Sequence, residues 1–386
     1  MSRDTRVTLP LRLAAAAALL AALAACDREK DIEPPAELVD FAASATIQKA
    51  WSISLGGGDE VMRDGLAPAA DLERVYLAGR GGEVLAVQAE TGRVLWRSKA
   101  DAELTGGPGA GGGVVAVGTA DGEVIALDGA TGTRRWAAKV GGEVLAAPAV
   151  TANVVVVRTV AGRVLGLALE TGKELWREDQ QIPRLTLRGT APPVIAGNAA
   201  ICGFDNGRVL SIDATAGEVF WEQLVSPARG RTELERLVDI DASIKVREAD
   251  VLVAGFQGRV AMLALDSGQI WWSREISSHR GLDVNDDLVV VSSAMGEVIA
   301  LRRRTGVEVW RQEGLRLRRL SAPALVGGRV AVADFEGYVH WLDAATGGFV
   351  ARSKTSGRTS NAPLVVGGLV IFQDDEGRVT ALRPKA

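Results

Sequence analysis

Imidazoles and thiols are almost missing from this sequence, with two histidines and two cysteines in 386 residues. His279 and His340 are far apart, so no cluster has metal-ligand spacing and no nucleophile has a base set beside it. No metal and no cofactor is therefore expected. Cys26 falls in a targeting segment, which leaves Cys202 as the single thiol of the rest and rules out an intrachain disulfide. Cys202 follows Ala199-Ala200-Ile201 in a strand-like run and reads as a small buried hydrophobe. His340, between Val339 and Trp341, reads as packed or channel-facing. Basic stripes are also missing. The formal charge is −4, and without residues 1–26, which carry Arg3, Arg6, Arg12 and Asp4, 41 basic side chains face 47 acidic ones, a net of about −6. Nucleic acid is not an expected partner.

What the sequence does have is periodic glycine. Gly82, Gly122, Gly162, Gly207, Gly258, Gly296, Gly337 and Gly377 stand at intervals of 40, 40, 45, 51, 38, 41 and 40 residues. Seven of these anchors have a second glycine ten residues on, at Gly92, Gly132, Gly172, Gly217, Gly268, Gly306 and Gly347. Six have a tryptophan fourteen residues on, at Trp96, Trp136, Trp176, Trp221, Trp272 and Trp310. Around each anchor the text is strand, turn, strand, turn, strand: Val114 to Thr119, a turn at Asp121-Gly122, Glu123 to Asp128, a turn closing at Thr131-Gly132, then Thr133 to Lys139. Proline fourteen residues before six of the anchors (Pro68, Pro108, Pro148, Pro193, Pro323, Pro363), with Ile244 and Leu282 in the other two, marks a fourth, innermost strand that can spare a ladder donor. A period near 40 built of short strands predicts an all-β protein, an eight-bladed β-propeller with four-stranded antiparallel blades. Runs such as Val154-Val155-Val156-Val157 do not alternate because each blade is covered on both faces. The tryptophans read as blade-docking side chains.

The seventh copy carries Ala351 where tryptophan is due, which predicts a looser junction there. The eighth copy stops at Ala386 with neither turn glycine nor tryptophan, and Trp51-Ser52-Ile53-Ser54-Leu55 at the other end looks like its missing outer strand. The ring is expected to be closed by residues 48–55, removing a free sheet edge. Ahead of it, Arg3, Arg6 and Arg12, the apolar Leu13 to Ala22 and the small-residue site Leu23-Ala24-Ala25-Cys26 read as a signal peptide over 1–25, too short to span a bilayer. That site resembles the lipobox of bacterial lipoproteins, in which the cysteine receives lipid. Residues 26–46, acidic and polar with Pro34-Pro35, read as a lipidated tether, and 47–386 as the propeller.

Function is expected where the copies differ, because insertions in repeat arrays collect on one face. The connections from Trp176 and Trp221 to the next blade are long, and they enter the consecutive fourth and fifth blades. Leu185 and Leu187 share a side in an extended segment, as do Asp239 and Asp241. Two leucines beside Arg188 and a carboxylate pair can compose an apolar centre with a charged surround, the build of a protein-binding patch. The spacing equally allows the leucines to cover the base of the insertions and the charges to be merely solvated.

The lipobox, the opening Trp51-Ser52-Ile53-Ser54-Leu55-Gly56, the Thr-Gly-x-x-x-Trp repeats, Leu185-x-Leu187-Arg188-Gly189 and Arg236-Leu237-x-Asp239-x-Asp241 together resemble the BamB family, outer-membrane lipoproteins of the bacterial β-barrel assembly machinery. The resemblance covers essentially the whole mature chain. It implies a non-catalytic scaffold, lipid-anchored through Cys26 on the periplasmic face of the outer membrane. Leu185, Leu187, Arg188, Asp239 and Asp241 would meet the periplasmic domains of BamA, with other subunits of the machinery and nascent outer-membrane proteins as further partners. Asp27 departs from the expectation, since aspartate after the lipidated cysteine favours inner-membrane retention in enteric bacteria. The repeat alone is shared with quinoprotein dehydrogenases, so a pyrroloquinoline-quinone enzyme is the rival reading; the adjacent cysteines of its alcohol-oxidising members are missing here. A small-molecule-sensing propeller is the third.

Overall fold

The computed structural model describes residues 33–55, 65–71, 73–183, 185–186 and 191–385. These residues form eight four-stranded antiparallel sheets, and there is no helix among them. Strands within each blade are called a to d here, from the inside outward. The a strands of successive blades touch one another in a closed circle, which places them around the central axis. Blade 2 shows the pattern in Leu104–Gly111, Val114–Thr119, Glu123–Asp128 and Arg134–Lys139. Its c–d turn is held by Asp128, whose Oδ1 accepts from the Ala130 and Thr131 amides at 3.0 and 2.9 Å. Gly132 closes the turn at φ +74°, a backbone region that costs glycine nothing.

The prolines sit where a ladder donor is not required. Pro68, Pro148, Pro193, Pro323 and Pro363 each come directly before an a strand of two or three residues. Pro108 alone lies inside one, where the register shifts between Gly106 and Gly109. Closure is as expected: Ile47–Ser54 pairs antiparallel with Arg378–Pro384, placing Trp51 opposite Ala381 and supplying strand d of blade 8.

Blades dock by one repeated lock. Each d-strand tryptophan lies flat on the c–d turn of the next blade, where a Cβ added to the turn glycine would come within 2.5–2.6 Å of the indole. Its Nε1 donates at 2.7–3.1 Å to the carbonyl of Ala89, Gly129, Leu169, Ala214, Leu265, Arg303 or Ala344 in that next blade. Trp51, Trp96, Trp136, Trp176, Trp221, Trp272 and Trp310 are all 7–9 % exposed. The lock therefore needs both a tryptophan and a following turn. Blade 8 has no c–d turn, because its strand d comes from the N-terminus.

That explains Ala351, and the junction that the sequence marks as looser is the one that lacks the lock. A tryptophan at 351 would have no turn to lie on. In the other blades the residue across from the tryptophan is mostly small, as in Ala86↔Trp96, Ala126↔Trp136 and Ala300↔Trp310. In blade 7 large and small are exchanged, Trp341↔Ala351. Trp341 is fully buried and donates to Ser353 Oγ at 3.1 Å.

A second difference concerns the tether, which was expected to run free to Thr46. From Ala36 the chain is fixed to the ring. The Ala36 amide donates to the Arg316 carbonyl at 2.9 Å, and the Ser44 and Ala45 amides to Val350 O at 2.9 and 3.0 Å. Leu38 packs into the apolar cluster of Trp310, Leu315, Leu320 and Leu342, and Phe41 stacks on Phe349 at 5.4 Å. Three apolar residues at irregular spacing, Leu38, Phe41 and Ala45, can dock on the ring without any strand pattern, so no periodicity announces the contact. The signal peptide and the lipid on Cys26 expected from the sequence fall outside the described residues.

Candidate protein-docking face

In a four-stranded antiparallel blade the d–a connections and b–c turns lie at one end and the a–b and c–d turns at the other. Both inserted loops are d–a connections. One joins Glu174–Asp179 to Val194–Ala196, the other Val219–Leu224 to Lys245–Arg247. They share one end of the ring on adjacent blades. The N-terminal segment meets the ring at this end too, since Arg316 and Arg318 belong to the d–a connection entering blade 7.

The first loop leaves the blade held by its backbone: Gln180 N donates to Gly162 O at 3.0 Å and Asn206 Nδ2 to Gln181 O at 3.0 Å. Beyond that point Ile182 and Leu185 are exposed, at 37 % and 41 %. Leu187 and Arg188 lie outside the described residues.

The second loop has a buried root and a built tip. Leu237, Val238 and Ile240 are buried. Ile240 fills the space that a side chain at Gly203 would need, where a Cβ would come 2.6 Å from its Cγ2. Phe256 N donates to Asp239 O at 2.8 Å, completing an isolated bridge to blade 5. At the tip, Glu235 Oε2 accepts from the amides of Arg231 and Thr232 at 2.7 and 3.2 Å, while Glu235 N donates to Thr232 Oγ1 at 3.2 Å. This is the reciprocal capping arrangement of a Thr-x-x-Glu segment, and these bonds hold the Glu235 carboxyl below its usual pKa. It presents Leu234 to solvent at 67 % exposure. The Thr232-Glu235 spacing was the available sequence signal for this residue, which the reading by leucine pairs passed over.

The carboxylates do not stand in the exposed surround that was expected. Asp239 is 1 % exposed. Asp241 is largely buried, and its pKa lies well above the ordinary carboxylate value, first because of burial and then because Asp239 and Asp205 lie close, with Arg158 opposing. Arg158 and Asp205 form a buried pair at 2.5 Å, the guanidinium 5.0 Å from the Phe204 ring centre. This stretch is covered on both sides: Ile240 packs under Gly203, and Asp241 lies close to Asp239 and Asp205. Spacing shows that two side chains share a side, and not whether that side is buried.

Elsewhere the polar residues are structural. Cys202 is buried and its thiol is pushed up to about 12 by burial, so it is unreactive at neutral pH. His340 is fully buried and bonded to Asp334 at 3.0 Å, and His279 sits edge-on to Phe256. Among the described residues no group of three or more His, Cys, Asp or Glu could hold a metal ion. A cleft of about 710 Å³ at the opposite end, lined by Phe220, Met262, Trp271 and Asp250, offers apolar walls; Asp250 is ion-paired to Arg303 at 3.3 Å.

The family model described as outer membrane protein assembly factor BamB matches residues 80–312 and 308–385. The chain belongs to the BamB family. It is 49 % identical over 370 residues to the outer membrane protein assembly factor BamB of Pseudomonas aeruginosa, covering 95 % of this chain and 97 % of that one. The crystal structure of BamB from Moraxella catarrhalis superposes with a TM-score of 0.80 at 30 % identity, covering 88 % of this chain and 100 % of that chain. A quinohemoprotein alcohol dehydrogenase from Comamonas testosteroni also superposes, at a TM-score of 0.65, but at 14 % identity it shows the shared propeller alone. Within the BamB fold, what distinguishes one end of this ring is the pair of inserted loops with Ile182, Leu185 and Leu234 exposed on them.

Proposed function

We propose that this protein is a non-catalytic scaffold of outer-membrane protein assembly, held to the membrane by lipid on Cys26, whose insert-bearing end docks on the periplasmic domains of BamA. The observation that carries the reading is the contrast within the two loops. Their roots are packed into the ring, while apolar side chains on them are exposed; a fixed loop that exposes leucine has little ordering entropy left to lose on binding. Leu185 and Leu234, with Leu187 and Arg188 on the same loop as Leu185, supply the anchors. Asp239 and Asp241 support the second loop from beneath, and a cationic group from the partner would relieve the unfavourable ionisation of Asp241. Other subunits of the machinery and nascent outer-membrane proteins would assemble on the remaining surface.

The placement of the N-terminal segment supports a defined orientation. With Ala36 fixed at the insert-bearing end, ten steps separate it from Cys26, at most about 36 Å of chain. A lipid on Cys26 would keep the docking end close to the membrane. Calorimetry of the purified chain with the BamA periplasmic domains tests the docking. Loss of binding in Leu185→Ser and Arg188→Ala with unchanged melting is the expected result; full affinity in both moves the interface elsewhere. Mass spectrometry of the mature N-terminus tests the anchor, and an unmodified Cys26 removes it.

A further inference from the structure

The junction between blades 7 and 8 lacks the tryptophan lock, and the N-terminal segment 36–46 crosses the outer side of blade 7 to reach it. Besides its backbone bonds and the packing of Leu38 and Phe41, this segment is held by a line of polar groups, buried at Arg318, Asp334 and His340 and partly buried at Arg352. Arg318, 4 % exposed, donates through Nη1 to Ala36 O at 3.0 Å and through Nε to Asp334 Oδ2 at 2.8 Å. Asp334 also bonds His340 Nε2 at 3.0 Å, and Arg352 Nε donates to His340 Nδ1 at 3.3 Å. Arg352 then reaches the segment itself, donating to Val39 O at 3.1 Å with its guanidinium 5.1 Å from the Phe41 ring centre.

The hydrogen-bond pattern fixes the proton on His340. Asp334 accepts from Nε2–H, so Nδ1 carries the lone pair that Arg352 needs. We propose that residues 36–46 are a releasable strap, and that protonation of His340 at Nδ1 opens it by setting two donors, Nδ1–H and the Arg352 Nε–H, against each other. The groups facing the imidazole are Asp334 from the b–c turn, Arg318 from the d–a connection, Arg352 from strand d, and Tyr338 on its own strand; Glu336 pairs with Arg318, and Lys354 lies over the Tyr338 ring. Asp334 favours the imidazolium, while burial and the two arginines oppose it, and the balance lowers the pKa of His340 below its ordinary value. The sign follows: a histidine whose folded pKa is depressed adds stability above about pH 6.5 that is lost as pH falls through the folded pKa. Release would free the chain from Ala36 to Ile47, lengthening the span from Cys26 to the ring from at most about 36 Å to about 75 Å.

The test is hydrogen exchange, read by mass spectrometry, over the peptide containing Ala36, Ser44 and Ala45, corrected for the intrinsic pH dependence of exchange. In the wild-type chain, protection should fall by up to about tenfold per pH unit from about pH 6.5 down to the His340 midpoint of the closed strap, and level off below it. Arg352→Met, which keeps an apolar stem, should lose protection at every pH. His340→Gln, which cannot take up the proton, should keep it at pH 5 as at pH 7.5. If that variant fails to fold, the wild-type imidazole titration by NMR replaces it, and the fall in protection must end at its midpoint. Protection that is independent of pH, equal acid release in His340→Gln, or a fall that continues well below that midpoint would each overturn the proposal.

Discussion

Replacing Trp136 with alanine should weaken the ring at one blade junction and leave the docking end untouched. The indole is 8 % exposed, packs with Val155, Val157, Leu165 and Leu167 of blade 3, and lies on Gly172. Truncation of a buried tryptophan costs ~3–5 kcal/mol. The Leu169 carbonyl, which accepts from Nε1 at 2.7 Å, would lose its partner, so the upper half of that range is expected. At about 2.1 cal/mol/K per residue, unfolding of about 340 residues carries ~0.7 kcal/mol/K, and 3–5 kcal/mol lowers the melting temperature by ~4–7 °C. The complementary change is Gly172→Ala. Its Cβ would come 2.5 Å from Trp136 Cε3 at φ +69°, so a single methyl group should destabilise from the other side of the same contact. Because both variants break one lock, the double variant should cost less than the sum of the two. Calorimetric melting and denaturant midpoints measure this directly. A drop below about 1 °C in Trp136→Ala, or strict additivity with Gly172→Ala, would refute the lock as the unit of blade docking.

Truncation from the N-terminus should act in two steps: deleting 27–46 should lower melting by loss of the strap, and deleting 27–55 should expose the outer edge of Arg378–Pro384 and cause aggregation, seen by light scattering. Asp241→Asn should stabilise the isolated ring at neutral pH, because the folded carboxyl has a raised pKa and stability is lost as pH rises above about 3.8; the gain should vanish in denaturant titrations below that pH. The same change should weaken BamA binding, so melting and affinity move in opposite directions. Asp239→Ala, buried beneath the loop, should lower the melting temperature, whereas Leu234→Ser should leave it unchanged and reduce affinity by about tenfold or more in calorimetry.

The ring was legible in sequence because its contacts repeat. A glycine that must adopt positive φ and a tryptophan that must lie on it recur at fixed separation, so spacing alone identifies both partners of the lock. Closure by Trp51 could be read for the same reason, as the one tryptophan without an anchor glycine ahead of it. The inserted loops were legible only as departures from the repeat. Their length marked their blades, but how deeply each residue sits is decided by single contacts such as Ile240 under Gly203, which no periodicity announces. Hence Leu185, which the spacing allowed to be either exposed or covered, was found exposed, Asp239 was found buried, and Leu234 was missed. The Arg318–Asp334–His340–Arg352 line was invisible because it joins residues whose copies in other blades differ.

The two irregularities of the ring are one constraint. A propeller closed by its N-terminal strand has no c–d turn in the closing blade, so the blade before it has nothing for a tryptophan to lie on. Once the docking surface is gone, a large side chain at 351 would be exposed, and the bulk moves across the strand pair to Trp341, which is fully buried. The outer side of that junction is then left without a lock, and the chain that must reach blade 8 passes across it. The strap thus occupies the one place around the ring where the repeat cannot supply its own contact, and its charged clamp sits in the blade that has lost its tryptophan.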